Sequence, residues 1–395
     1  MTPAARVEAA IELLDAVIEA AKTKGAPADR LIAAYFKVRR YAGSKDRRAV
    51  RELVYRAIRH CGPVPVSGRA TMLALADQDA SLGALFDGSV HGPAAIDPGE
   101  PVAEAGLAPG WLVEALATSG IEGEAAQALL GRAPLDIRVN ALKADRSTIE
   151  LPELGEPLTA SHGLRFPTGT SADQWPAFRE GAIEVQDHGS QLICEALPIE
   201  PGDTVIDLCA GAGGKTLGLA ARFGNAISLV AADTDKRRLG NLAPRAARAG
   251  AAIDATVLLN PGREMEALEA YRGKADHALV DAPCSGTGTW RRNPEGRWRL
   301  DKAELARLTA LQDRVLDIAA QLVREGGTVG YVVCSLLDAE GPEIMRAFLD
   351  RHPRFTAQEV ALGAGRQRGC GYRLDPCHDG TDGFFVAIGR CAWYA

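Results

Sequence analysis

TVIDLCAGAGGKT (Thr204–Thr216) runs from a β-branched, apolar stretch through a glycine turn into residues that favour a helix. The opening TVIDL predicts a buried strand. Gly211, Gly213 and Gly214 carry no Cβ, so the backbone there can turn tightly and approach a ligand. The same strand, turn and helix pattern recurs toward the C-terminus. AISLVAAD (226–233) leads into KRRLGNLAPRAARAG, ATVLLN (255–260) follows, HALV (277–280) precedes DAPC, and GTVGYVVCS (327–335) precedes another helix. FFVAIGR (384–390) is the last strand expected. Apolar strands alternating with helices predict a parallel sheet covered on both faces, a doubly wound α/β domain.

Ligands of such sheets bind at the carboxyl ends of the strands. GGKT suggests a phosphate loop, but that motif needs a glycine where Cys209 stands. A dinucleotide fingerprint also fails, because Thr216 occupies its last glycine position. The next strand ends in Asp233, eighteen residues past Lys215, where a carboxylate can accept both hydroxyls of a ribose. The third ends in Asn260, near where an adenine ring would lie. A glycine turn, then an acid, then an amide points to S-adenosylmethionine rather than to a phosphate ligand.

DAPCSGTG (Asp281–Gly288) follows one strand, and Cys334 ends the next. Parallel strands open their carboxyl ends into one crevice, so Cys284 and Cys334 can flank a single substrate. Free cysteines are most often small buried apolar residues. Two at successive strand ends, one followed by SGTG, point instead to thiol chemistry. The eight cysteines are scattered without CxxC spacing, which predicts free thiols. Cys370, Cys377 and His378 fit no common zinc spacing, so no metal is expected.

At 395 residues the chain has room for two or three domains. Val7, Ala10, Ile11, Leu14, Val17, Ile18 and Ala21 recur at helical spacing. Helical patterning continues through Arg30–Tyr41 and Asp46–Arg59, and Asp87–Gly110 reads as a Gly/Pro-rich linker. The net charge of −6 argues against a wholly basic nucleic-acid binder. Tyr35–His60, however, holds nine Lys/Arg against two acids, a local +7 interleaved with Tyr35, Phe36, Tyr41 and Tyr55, and is read as an RNA-facing patch. WRRNPEGRWR (290–299) is read either as a phosphate-holding, base-stacking loop or as an ordinary helix-start loop. Acids within the apolar N-terminal pattern argue against a signal peptide, and no apolar run is long enough for a membrane span; a cytoplasmic protein is expected.

DLCAGAGGKT, DAPCSGTG, YVVCS and DGFF (Asp382–Phe385) resemble the motifs of the RNA cytosine-C5 methyltransferases of the Sun/Nop2 type. So do IRVNALK (Ile137–Lys143) and GAIEVQDHGSQL (Gly181–Leu192). RRYAGSKDRRAV (Arg39–Val50) is similar to the helical NusB-related N-terminal domain of the bacterial ribosomal-RNA members. The resemblance implies a Rossmann-like, S-adenosylmethionine-dependent methyltransferase domain over 168–395. A small α+β connecting region over 111–167 and an all-α RNA-binding domain over 1–86 would precede it. It implies Cys334 as the nucleophile that adds to C6 of cytosine and Cys284 as the residue that helps release the product. Asp281 would bond the ring's N3/exocyclic edge. Cys209, Ala210, Gly211, Ala212, Gly213, Gly214, Lys215, Asp233, Asn260 and Asp281 would bind S-adenosylmethionine. Ala212 stands where the family usually has Pro, Gly211 where it has Ala, Asn260 where Asp is commoner, and Gly341 where Asn follows Glu340. The expected partner is RNA, ribosomal rather than transfer RNA, with the protein a monomer. Amino-group methyl transfer needs no thiol and so leaves Cys334 unexplained. A non-catalytic ribosome-assembly factor has no need of the glycine turn, Asp233 and both thiols.

Overall fold

The computed structural model describes residues 1–393, and the chain divides into two units. The first comprises Met1–Gly131 with Thr289–Asp301, and the second Arg132–Gly288 with Lys302 onward. The domain boundaries expected at 86, 111 and 168 fall elsewhere than this division, which groups residues 111–131 and 289–301 with residues 1–110.

The first unit is helical. α1 (Pro3–Lys22) starts where the Thr2 side chain accepts from the Ala5 N–H and Pro3 pre-sets the first helical position. Its stripe from Val7 to Ala21 is buried, as its spacing predicts. α2 (Ala28–Val38), α3 (Ser44–His60) and α4 (Gly68–Ala76) pack their apolar faces into the same core. Gly68 lets α4 lie against α1, since a Cβ there would fall 2.2 Å from the Ile11 carbonyl oxygen. Trp298 is part of this core. Arg297, fully buried, donates to the carbonyls of Ile58 and, at 2.7 Å, Cys61, capping the end of α3. Trp298 donates to the Gly62 carbonyl at 3.2 Å, and the Ala28 N–H donates to Glu295 at 3.0 Å. Trp290 is 1% exposed and Trp298 4%, so neither indole presents a face for stacking bases. The segment is an internal part of the helical fold rather than a binding loop.

The second unit holds two sheets. β1 (Leu135–Val139), β2 (Glu156–Pro157), β3 (Gly163–Phe166) and β4 (Ile183–Val185) form a small antiparallel sheet in the order β2-β3-β1-β4. The larger sheet has nine strands: β5 (Thr204–Asp207), β6 (Ser228–Asp233), β7 (Ala255–Leu258), β8 (Ala275–Asp281), β9 (Val323–Val333), β10 (Phe355–Gln358), β11 (Arg366–Arg368), β12 (Gly371–Leu374) and β13 (Phe384–Cys391). Its order is β11-β12-β13-β9-β8-β5-β6-β7, with β10 on β13. β9, β8, β5, β6 and β7 run parallel, as expected of the Rossmann-like fold. FFVAIGR joins the sheet antiparallel to β9: after β9 the chain passes through the helix Pro342–Arg351 to β10, then through the short strands β11 and β12 into β13, which lies between β9 and β10. The parallel core brings the ends of five strands to one edge of the sheet.

Candidate active site

The turn after β5 is built on two left-handed glycines, Gly211 with φ +56° and Gly213 with φ +87°. A side chain at Gly211 would meet the Arg238 guanidinium at 2.4 Å, and one at Gly213 would meet Leu242 at 2.2 Å. The Gly211 N–H donates to Asp233 Oδ2 at 2.7 Å, and the Asp235 N–H donates to Oδ1 at 2.7 Å. Asp233 is thereby held in one orientation at the end of β6, each oxygen keeping acceptor capacity. It lines a cavity of about 420 Å³ together with Cys209, Asp281, Cys284 and Cys334. Leu259, Val315 and Ile318 supply an apolar wall. Of the turn residues Cys209–Lys215, Cys209 lines the cavity. Asn260 is exposed and does not line it, while its neighbour Leu259 does.

Lys215 is buried at the start of the helix Gly214–Arg222, its Nζ 2.6 Å from Asp281 Oδ2 at the end of β8. Burial pulls its ammonium pKa down, but the Asp281 carboxylate more than offsets this and holds it above the ordinary lysine value. Burial, followed by the charges of Asp207 and Asp233, pushes the Cys209 thiol well above the ordinary value, so it stays protonated.

Cys284 and Cys334 meet: their sulfurs lie 3.3 Å apart, and both are free thiols. The hydrogen bond to Cys334 and then burial push the Cys284 thiol well above the ordinary value. The SGTG sequence explains how the two loops stay together. The Leu336 N–H donates to Thr287 Oγ1 at 2.9 Å, and Thr287 and Ser335 share a hydroxyl contact at 3.1 Å. The Gly288 N–H donates to the Cys334 carbonyl at 3.0 Å, and the Gly383 N–H to the Gly288 carbonyl at 2.8 Å. A Cβ on Gly288 would fall 2.1 Å from the Gly383 oxygen, so this crossing requires glycine. DGFF therefore fastens the cysteine loop to the start of β13.

IRVNALK and GAIEVQDHGSQL brace the same turn. Arg138 donates to Gln186 at 2.7 Å, and Asn140 donates to the Gly181 and Ala249 carbonyls at 2.8 and 2.7 Å. Glu184 on β4 holds Arg245, which donates to the Ala212 carbonyl at 2.7 Å. Glu340, fully buried and bonded to both cysteine loops, carries no signal in a single sequence beyond its place six residues after Cys334.

A model of the family described as 16S rRNA methyltransferase RsmB/F matches residues 194–388. The ribosomal RNA small subunit methyltransferase B of Xylella fastidiosa is 33% identical over 290 residues, 71% of this chain and 67% of that protein. The chain belongs to the RsmB/F family. The Xanthomonas campestris protein of the same name is 33% identical over 290 residues, 71% of this chain and 65% of its own length. The Thermus thermophilus one is 38% identical over 206 residues, 52% and 49%. The chain thus spans less than two thirds of the length of these last two RsmB relatives. Among solved structures, PH0851 has a TM-score of 0.75 at 23% identity, covering 98% of this chain and 99% of its own. NSun6 from Pyrococcus horikoshii, solved with SFG, has a TM-score of 0.63 at 19% identity, covering 72% and 99%. These likenesses show the fold.

The cofactor that goes with the RsmB/F family is S-adenosyl-L-methionine. The residues fit it: an oriented carboxylate at Asp233 at the end of β6 and an apolar wall of Leu259, Val315 and Ile318 for a base. No helix among the described residues is long and apolar enough to cross a membrane.

Proposed function

We propose that this protein is an S-adenosylmethionine-dependent RNA cytosine-C5 methyltransferase acting on small-subunit ribosomal RNA, with Cys334 as the nucleophile. The observation that carries this is the pair of free thiols 3.3 Å apart at the ends of β8 and β9, on a cavity that also presents Asp233 and Asp281. The names of the relatives support ribosomal RNA over transfer RNA. We place its action, as a monomer, in the cytoplasm.

Asp233 would hold the cofactor's ribose, and Cys209 to Lys215 its approach along the turn. Asn260, at the exposed end of β7, would reach it only from the rim. S-adenosylmethionine supplies the electrophilic methyl group. C5 of cytosine is too electron-poor to take that group unaided. The Cys334 thiolate adds to C6, and the displaced ring electrons make C5 nucleophilic. Asp281, oriented by Lys215, accepts from the exocyclic amine, and the Lys215 ammonium balances negative charge building on the ring. Cys284 donates its S–H toward Cys334 and so favours the thiolate. A base takes the C5 proton, the C–H electron pair re-forms the C5–C6 double bond, and the Cys334–C6 bond breaks with its electron pair returning to sulfur, a release that Cys284 assists. In the helical unit, exposed Lys37, Arg40, Lys45, Arg48 and Arg51 would meet RNA phosphates.

The test compares Cys284→Ala and Cys334→Ala, each incubated with total RNA and S-adenosylmethionine and run on a denaturing gel. Cys284→Ala is expected to trap ribosomal RNA covalently and Cys334→Ala not to. Trapping only by Cys334→Ala would reverse the roles. Full methylation by both variants without trapping would remove thiol catalysis.

A further inference from the structure

Each catalytic cysteine is followed by a serine, and both serines lean on one carboxylate. Ser285 donates to Glu340 through its N–H at 2.8 Å and also through its hydroxyl, and Ser335 Oγ donates at 2.6 Å. Gln312, from the helix Lys302–Leu322, donates to Glu340 at 3.0 Å and to the Pro283 carbonyl at 2.9 Å. The Tyr331 hydroxyl donates to the Glu340 backbone carbonyl at 2.6 Å. Glu340 is fully buried and does not line the cavity, so it has no access to a substrate. Four donors converge on its side chain, which matches a carboxylate, an acceptor only, and mismatches an amide. Bonds to a charged acceptor are roughly twice as strong as neutral ones, so a carboxylate at this position strengthens the link between the loops.

We infer that Glu340 is a positioning residue, resting on the thiol mechanism above: it ties the loop of the releasing cysteine to the loop of the nucleophile and keeps the two sulfurs in contact. The Thr287, Ser335 and Gly288 bonds and a Ser285–Ser335 hydroxyl contact at 3.2 Å join the loops on their own; Glu340 bonds the residue after each cysteine at once and, through Gln312, the residue before one.

The experiment uses the full chain and Glu340→Gln, with three readouts. The first is diamide cross-linking followed by mass. The diazene takes both thiol protons and two electrons as the Cys284–Cys334 disulfide forms, which reports sulfur proximity without RNA. The second is S-adenosylmethionine affinity, and the third is single-turnover methylation of RNA. Wild type is expected to cross-link readily. Glu340→Gln is expected to cross-link at least ~10-fold more slowly and to methylate about 100-fold more slowly, with cofactor affinity within about twofold of wild type. Glu340→Asp, which keeps the charge, should recover part of both losses. Cross-linking and methylation at wild-type rates in Glu340→Gln would overturn the inference. So would equal loss of cofactor affinity, the mark of a general structural defect. Slowed cross-linking in a protein whose wild type methylates no RNA would uphold the positioning role and remove the proposed reaction instead. If Glu340→Gln fails to fold, the double variant Ser285→Ala/Ser335→Ala removes the two hydroxyl links, with the same expected losses and the same overturning result.

Discussion

Asp207, the last residue of β5, is a buried carboxyl, one oxygen of which accepts from Thr216 Oγ1 at 2.7 Å. Burial, only partly offset by that hydrogen bond, raises it from 3.8 to about 7. A carboxyl raised on folding binds its proton more tightly in the native state. Its contribution is therefore fully present below the unfolded value and is lost as pH rises through about 7. The loss amounts to roughly 4 kcal/mol at most, at about 1.4 kcal/mol per unit. Urea unfolding of wild type and Asp207→Asn at several pH values should show the variant's relative stability growing from acid to mild alkali. A difference independent of pH would contradict the buried-acid account. Single residues were unevenly legible. Asp233 could be read because an acid at a strand end beside a glycine turn has few other uses. Asn260 is harder to read, because it lies in the loop after β7, where Leu259 is buried and lines the cavity and Asn260 is exposed.

The strand ends and loops that hold the thiols depend on backbone closeness as much as on side chains. Gly288 and Gly383 cross so tightly that a Cβ on Gly383 would lie 2.6 Å from Gly288 Cα. Gly383→Ala should cost about 1–3 kcal/mol by forcing the loops apart. It should also slow methyl transfer far more than it weakens cofactor binding; chemical unfolding and kinetics on one preparation check both. β5 to β9 were legible because long β-branched runs bounded by glycines have no other stable home. Their spatial order was not, since pairing between strands distant in sequence leaves no local trace. β3, with Leu164 and Phe166 inward and Arg165 outward, is too short for its alternation to stand out. WRRNPEGRWR misleads for a different reason. Arginines and tryptophans together look like a nucleic-acid surface, yet Arg297 is consumed by two backbone carbonyls and Trp298 by a core.

At the scale of the whole molecule, an acidic chain must bind a polyanion locally. Arg39 and Arg56 are engaged by Glu12 and Asp79, which leaves Lys37, Arg40, Lys45, Arg48 and Arg51 exposed toward solvent. Changing Lys45 and Arg48 to alanine should weaken RNA binding and reduce the slope of log affinity against log salt by roughly 0.7 per side chain. An unchanged slope would move the RNA contact elsewhere. The helical unit also borrows Thr289–Asp301 from beyond the first part of the second unit. A fragment ending at Gly131 therefore lacks Trp298, and losing such a buried aromatic costs about 3–5 kcal/mol. By circular dichroism and proteolysis it should be molten or unfolded, whereas a fragment to which residues 289–301 are fused should regain cooperative unfolding. The same borrowing sets an order of events during synthesis. When residue 131 leaves the ribosome the helices cannot yet close, and the piece that seals them ends at residue 301, about 170 residues later. At roughly 5–20 residues per second the nascent helices wait on the order of ten to thirty seconds with an open apolar seat, a window in which chaperones would hold them.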